Sequence, residues 1–471
     1  MVSRREFLRI AAVAGPAAAL FPARAFASME AAAKPRLFEV PLRIPPVLKP
    51  ARKTADADYY VTVMRRARVQ ILPRKLTTAW TFDGSFPGPT IKVRRGRTAV
   101  VRRINRLNVP TTTHLHGARV RPGSDGQPLD LTDPGGRKDY IYPNEQDATT
   151  LWYHDHTHHH SSRNNYMGLM GLYIIEDEEE EELNLPRGKY DIPLILQDRS
   201  FKRDGSFRFH DHHDEVLGQT ILVNGRPTPY LKVANRKYRF RILNASHTRG
   251  YELALDSGAP LIQIGSDQGL LPAPHAAGSI PLWPAERADV VIDFSAYPVG
   301  TSVVLEHRDP NDPTNTRRIM RFDVAREEAD TSSLPVVPRP IARITSWARE
   351  REFDLSFDHD NRRWEINGRP FDPQRIDIRP KQGSTELWTF RNLSSVAHPM
   401  HVHLVRFQIV SRSNLAVSPG ELGWKDTVRV DPSRNVSVAM TFEKFTGRYM
   451  YHCHNLAHEN HSMMGQMKIV P

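Results

Sequence analysis

The sequence predicts an all-β chain of three consecutive, similar-sized domains, and three observations carry that reading. The first is length: 471 residues, at about 150 per domain, makes about three domains the prior. The second is punctuation. With 37 Pro and 27 Gly the chain reads as turn-rich and strand-rich, and no long amphipathic helix pattern stands out. The third is repetition. Arg97–Asn105, Lys237–Asn244 and Thr385–Asn392 are short runs of β-branched, aromatic and Arg residues, and each ends at Asn. The Asn-to-Asn separations are 139 and 148 residues, so three units of that size tile the chain.

The N-terminus reads as an address. Ser3-Arg4-Arg5-Glu6-Phe7-Leu8 precedes a weakly apolar run from Ile10 to Phe21 and a small-x-small site, Ala25-Phe26-Ala27. The paired Arg residues resemble a twin-arginine signal. The run is too short and too rich in Ala and Gly to span a bilayer stably. Residues 1–27 are therefore expected to engage the twin-arginine export machinery and be removed, leaving a periplasmic or extracellular protein. The formal charge of +12 then falls to +9, because four Arg and one Glu leave.

The domains are expected at 28–180, 181–338 and 339–471. An unbroken run of seven acids, Glu176–Glu182, reads as a solvated linker after the first, and Thr331–Pro340 as the second linker. Charged residues at 25%, hydrophobic ones at 39% and a mean hydropathy of −0.51 exclude a multi-span membrane protein and a disordered chain. Basic residues are spread along the chain without a nucleic-acid-binding module, so no nucleic-acid partner is expected. A monomer is expected. The single Cys excludes an intrachain disulfide, and 21 His point to metal chemistry.

Nine residues after each repeated Asn comes an i, i+2 pair: His114 and His116, Leu253 and Leu255, His401 and His403. A later strand carries His154 and His156 in the first unit and His452 and His454 in the third. The nearest match in the second is Leu305-Glu306-His307, which lacks a His pair. Residues i and i+2 of a strand point to one side, so each pair aims two imidazoles at one place. Eight imidazoles converge if the outer domains pack face to face, with the middle domain as a spacer.

Cys453 points away from His452 and His454. With His458 and upstream His398 it makes a His₂Cys set, and Met463 is the candidate weak axial ligand; such a set is a blue-copper electron-transfer site. One segment thus feeds two sites, with a short covalent route between them.

At these residues the resemblance is to multicopper oxidases. The segments HLHG, WYHDH, HPMHVH and YHCHNLAHENHSMM resemble that family's four copper motifs. Their surroundings, HLHGARVRPGSDGQP and GQTILVNGRPTPYLKVANRKYRFRILNAS, resemble the bacterial spore-coat laccase and bilirubin oxidase branch. The resemblance implies three cupredoxin-like Greek-key β-barrel domains and four copper ions. It implies type 1 copper on His398, Cys453, His458 and Met463, type 2 copper on His114 and His401, and a type 3 pair on His116, His154, His156, His403, His452 and His454. It also implies one-electron oxidation of phenols, aromatic amines or tetrapyrroles such as bilirubin, coupled to reduction of dioxygen to water. His398 and His458 are expected at the substrate pocket, with an imidazole edge near the surface.

Three acids resemble family positions: Asp125 and Glu459 those of proton-supplying residues, and Asp426 one that orients a copper ligand. Other readings stand beside these: a turn residue for Asp125, a surface acid for Glu459, and a purely structural carboxylate for Asp426. His158, His159, His160, His210, His212, His213 and His461 receive no role. Two alternative functions remain. A cuprous or ferrous metallo-oxidase is disfavoured by the lack of a Met-rich insertion. A non-enzymatic relative is disfavoured by the complete ligand set.

Overall fold

Each repeated run is a strand, and each strand ends at its Asn: Thr98–Asn105, Lys237–Asn244 and Thr385–Asn392. The computed structural model describes residues 35–210, 212, 215–310, 312, 314 and 316–471; the expected signal at 1–27 and His213 lie outside them. The Asn recurs because its side chain ties the following turn. Asn105 Oδ1 accepts from Leu107 N at 2.9 Å while its amide donates to the Val109 and Thr132 carbonyls. Asn244 repeats this with Ser246, Arg249 and Leu282. Asn392 repeats it with Ser394, Val396 and Val430.

The topology repeats as well. Each of these strands pairs in parallel with an earlier one, Ala57–Val69, Asp191–Arg199 or Arg349–Asp358. Each then pairs antiparallel on its other side, with Arg137–Tyr142, Arg287–Asp293 or Asn435–Thr441. A second sheet closes each unit over its own apolar core. Tyr60, Trp80, Val101 and Tyr173 pack in the first; Phe240, Val290 and Phe322 in the second; Phe353, Trp388 and Val438 in the third. Thr385–Asn392 alternates strictly between buried and half-buried, as a strand lining one face of a core must.

The second sheets of the outer units carry the histidines. Thr113–His116 pairs antiparallel with Thr149–Asp155, with His114 opposite His154. His398–Val402 pairs with Gly447–Cys453, with His401 opposite His452. In the middle unit the same pairing sets Leu253 opposite His307 and Leu255 opposite Leu305. There the apolar side chains are simply core.

The acidic run departs from the expected solvated linker. Glu178–Glu182 forms one helical turn, capped by the Asp177 carboxylate accepting from Glu180 N. Glu180 is buried, with Oε1 at 2.9 Å from both Arg239 and Arg241. Like charge alone would leave the segment in water, but two buried guanidinium groups on the next unit draw one carboxylate inward. No helix among the described residues is long and apolar enough to cross a membrane.

Candidate metal centre

The four His-x-His pairs converge. All eight imidazoles are at most 1% exposed. His156 Nε2 and His403 Nε2 stand 3.3 Å apart, His403 Nε2 and His452 Nε2 3.1 Å, and His154 Nε2 and His454 Nε2 3.4 Å. Across the interface between the outer units His114 stacks on His403 and His116 on His401, with centroids 3.8 and 3.6 Å apart.

Their orientation is fixed from outside the cluster. His114 Nδ1 donates to the Asp125 carbonyl at 2.6 Å and His401 Nδ1 to the Asp426 carbonyl at 2.7 Å. His154 and His452 donate from Nδ1 to the carbonyls of Asp155 and Cys453. His403 Nδ1 donates to Asp125 Oδ2 at 2.9 Å. His116 is turned over, donating from Nε2 to Asp426 Oδ1 at 3.0 Å. The nitrogens left over face one another, and His114 Nε2, His401 Nε2 and His116 Nδ1 are buried without a partner. Burial and mutual repulsion push His114, His116, His401, His403 and His454 well below the ordinary imidazole range, His154 to about 3 and His156 to about 4. Neutral imidazoles with converging, unpartnered lone pairs are a donor set for copper.

A second group lies on the other face of the same strand. Cys453 Sγ is 3.5 Å from His398 Nδ1 and 3.6 Å from His458 Nδ1, and those nitrogens are 3.1 Å apart. Met463 packs in the same apolar cluster as Cys453, and its carbonyl accepts from Cys453 N. Burial pushes the thiol up, and burial pushes His398 down to about 3. A soft sulfur and two imidazoles fit a copper ion. The expectation of an imidazole edge near the surface fails: His398 and His458 are 0% and 1% exposed. The Trp364 ring lies over His458, with centroids 4.0 Å apart, and shuts one side off.

All three acids are buried within contact distance of these histidines. Asp125 is fully buried; besides His403 it accepts from Gln127 Nε2 at 2.9 Å, and burial pushes its carboxyl well above the usual range. Glu459 reaches His156 Nδ1 at 3.4 Å and His452 Nδ1 at 3.2 Å. Burial works to raise it, yet those imidazoles hold it down to about 2. The surface-acid reading of Glu459 fails, since the short helix Leu456–Asn460, capped by Asn455, turns it inward.

The middle unit is more than a spacer, because it reaches Asp426. Arg287 donates from Nη1 and Nη2 to the two Asp426 oxygens at 2.7 and 2.6 Å, and Gln268 Nε2 donates to Oδ2 at 2.6 Å. Burial opposes the charge on Asp426, but Arg287 keeps its carboxyl at about 2. Gly117, the last letter of HLHG, has φ +83°; a Cβ there would stand 2.4 Å from Asp426 Oδ2.

Comparison with known proteins agrees with this geometry. Two family models described as multicopper oxidase match residues 64–180 and 345–471. A laccase from Bacillus subtilis is 36% identical, over 91% of this chain and 97% of its own length. A bilirubin oxidase from Albifimbria verrucaria is 38% identical, over 91% of this chain and 80% of its own. The crystal structure of a laccase from Pediococcus acidilactici superposes with a TM-score of 0.87 at 34% identity, covering 93% of this chain and 95% of that one. The chain belongs to the multicopper oxidase family.

Multicopper oxidases carry four coppers, one type 1, one type 2 and a type 3 pair, on cupredoxin-like β-domains, and are copper-dependent oxidoreductases that use dioxygen. In this multicopper oxidase none of His158, His159, His160, His210 and His461 joins either group of metal-competent side chains among the described residues. The His158 ring packs on His159 at 3.7 Å and against Phe371, and His160 is exposed. His461 Nδ1 donates to the Ala457 carbonyl, and His210 accepts from Arg208. Sequence reasoning missed Trp364, Gln268 and Arg287. Arg287 opens an ordinary core strand, and only the fold shows where its side chain ends.

Proposed function

We propose that this protein is a laccase-type oxidase of phenols, aromatic amines or tetrapyrroles. The proposed ligands are His398, Cys453, His458 and Met463 for type 1, His114 and His401 for type 2, and His116, His154, His156, His403, His452 and His454 for type 3. One observation carries the reading: Cys453 sits in the thiol–imidazole group while its neighbours His452 and His454 sit in the eight-imidazole cluster. Copper at these sites supplies one-electron acceptance from the reductant and four-electron reduction of dioxygen to water.

The chain's own part is positioning and insulation. A cavity of about 580 Å³ between the second and third units is lined by Ala397, beside His398, and by Asn455, whose amide is 3.0 Å from His458 Nε2. It is the proposed reductant site: an electron arriving there is one side chain from His458, and the buried imidazoles keep water out. Arg249, Arg308, Glu252 and Asp312 also line it, so polar substituents on an aromatic reductant find partners. Asp125 and Glu459 are the proposed proton suppliers, since each carboxylate already meets ring nitrogens on one side of the cluster.

Domains at 28–180, 181–338 and 339–471 are proposed on the three separate apolar cores. Export through the twin-arginine route and a monomeric state are proposed from the sequence alone; a reporter fused behind residues 1–27, tested with Arg4 and Arg5 replaced by Lys, decides the first. The enzymatic reading is tested by oxygen uptake with a phenol, with bilirubin and with cuprous ion. Turnover of either organic reductant is expected, and turnover of the metal ion alone would replace this reading with that of a metallo-oxidase.

A further inference from the structure

We infer that Arg287, on the middle unit that holds none of the eight imidazoles, is a positioning residue for the imidazole cluster. This rests on the ligand assignment proposed above.

All five of its N–H donors are placed. Nε donates to the Thr150 carbonyl at 2.9 Å, and Thr150 lies on the strand that carries His154. Nη1 donates to Asp426 Oδ1 at 2.7 Å and to the Ala285 carbonyl at 3.0 Å. Nη2 donates to Asp426 Oδ2 at 2.6 Å and to the Asp267 carbonyl at 2.7 Å. One rigid guanidinium thereby ties the first, second and third units at a single point, and no ammonium can reproduce that fork.

What it holds decides two ligands. Asp426 accepts from His116 Nε2 through Oδ1, which turns that ring so that Nδ1 faces the cluster. The Asp426 carbonyl accepts from His401 Nδ1, which leaves His401 Nε2 facing it. Gln268 ties the same carboxylate to the Gly117 carbonyl, the residue after His116. Without the fork the carboxylate can rotate about its own bond, and the two rings that stack across the interface lose their common anchor. The neighbouring pair of Lys425 with Asp267 and Glu286 backs the same wall and touches no imidazole.

The test compares the full chain with Arg287→Met, Arg287→Lys and Arg239→Met. Arg239 is equally buried on the same unit, but its partners are Asp289 and Glu180. Copper per chain, blue absorption and the type 2 electron-spin spectrum are read on each loaded protein. Arg287→Met is expected to keep its blue copper and to bind cluster copper about 10–100-fold more weakly, the usual effect of removing an outer partner of a ligand. Arg287→Lys should fall between it and the parent. Arg239→Met should lower thermal stability and leave the ratio of cluster to blue copper unchanged. Parent-like copper affinity and spectrum in Arg287→Met would overturn the inference, as would selective loss of cluster copper in Arg239→Met. Should Arg287→Met not fold, Gln268→Ala takes its place, with the same selective loss expected and parent-like copper overturning. A parent that takes up no cluster copper overturns the ligand assignment itself, which the parent's own copper content reveals separately.

Discussion

His452 and Cys453 are consecutive residues of one strand, and their side chains end in different groups. His452 Nε2 is 3.1 Å from His403 Nε2, while Cys453 Sγ is 3.5 Å from His398 Nδ1. The strand's alternation does this without any special backbone, since neighbouring residues face opposite sides of a sheet. The covalent path from thiol to cluster is therefore as short as a polypeptide permits, and it lies in buried strand shielded from water.

Cys453→Ser isolates that path. Serine keeps the volume but lacks the soft sulfur that selects copper, and burying its hydroxyl costs about 1–3 kcal/mol. The variant should lose blue absorption and oxygen uptake while its far-ultraviolet circular dichroism stays that of a β-protein. Blue colour retained in it would remove Cys453 from the type 1 site.

How much of this was readable beforehand depended on periodicity. The eight imidazoles and the thiol stood out because strand alternation converts an i, i+2 spelling into a direction in space. The repeated Asn could be seen as punctuation, and its turn chemistry follows from the residue type. Trp364, Gln268 and Arg287 could not be read. Gln268 and Arg287 reach Asp426 across an interface between units, and Trp364 reaches His458 from a distant strand of the same unit. No local pattern encodes which surface a distant side chain will meet. The imidazole edge expected near the surface is instead buried, because Trp364 covers His458 from a strand some 90 residues earlier in the same unit. Glu180 shows the converse, a charge run overridden by two guanidinium groups on another unit.

Gly117→Ala probes how tightly the cluster wall is built. The residue sits at φ +83°, and an added Cβ would come within 2.4 Å of Asp426 Oδ2 and 2.9 Å of Arg287 Nη2. The strained backbone alone costs about 1 kcal/mol, and the crowding of an ion pair that cannot move adds to it. Thermal unfolding should shift down by several degrees and cluster copper should fall, with the blue site unchanged. An unchanged melting curve would mean that the wall has slack.

Asp125→Asn and Glu459→Gln address the supply of protons. Both changes preserve shape and remove an ionisable oxygen beside the cluster. Each should cut oxygen-coupled turnover by about 100-fold or more, the ordinary scale of a lost proton-transfer group. Asp125 acts as an acid that burial keeps protonated, and Glu459 as a carboxylate that accepts protons and passes them on. Copper content and the rate at which a reductant bleaches the blue band should stay near the parent's, because electron entry does not need these acids. Full turnover in both variants would leave Asp125 and Glu459 with a purely orienting role.

His247 provides a pH dependence that involves no proposed ligand. It is fully buried, donates from Nε2 to the Ser162 carbonyl at 2.6 Å, and leaves Nδ1 unpartnered. Burial, with Arg199 nearby, pushes it from 6.5 to about 3 in the folded chain. The unfolded chain therefore binds the proton first as pH falls. The stability that His247 contributes while neutral is complete above pH 6.5, and it is lost progressively as pH drops from 6.5 toward 3. At about pH 5 the loss from this one group is about 2 kcal/mol. His247→Gln keeps a donor for the Ser162 carbonyl and has nothing to titrate. Denaturant unfolding of parent and variant at about pH 8 and about pH 5 should show the parent losing about 2 kcal/mol more over that interval. Equal losses would mean that His247 takes up its proton within the folded protein.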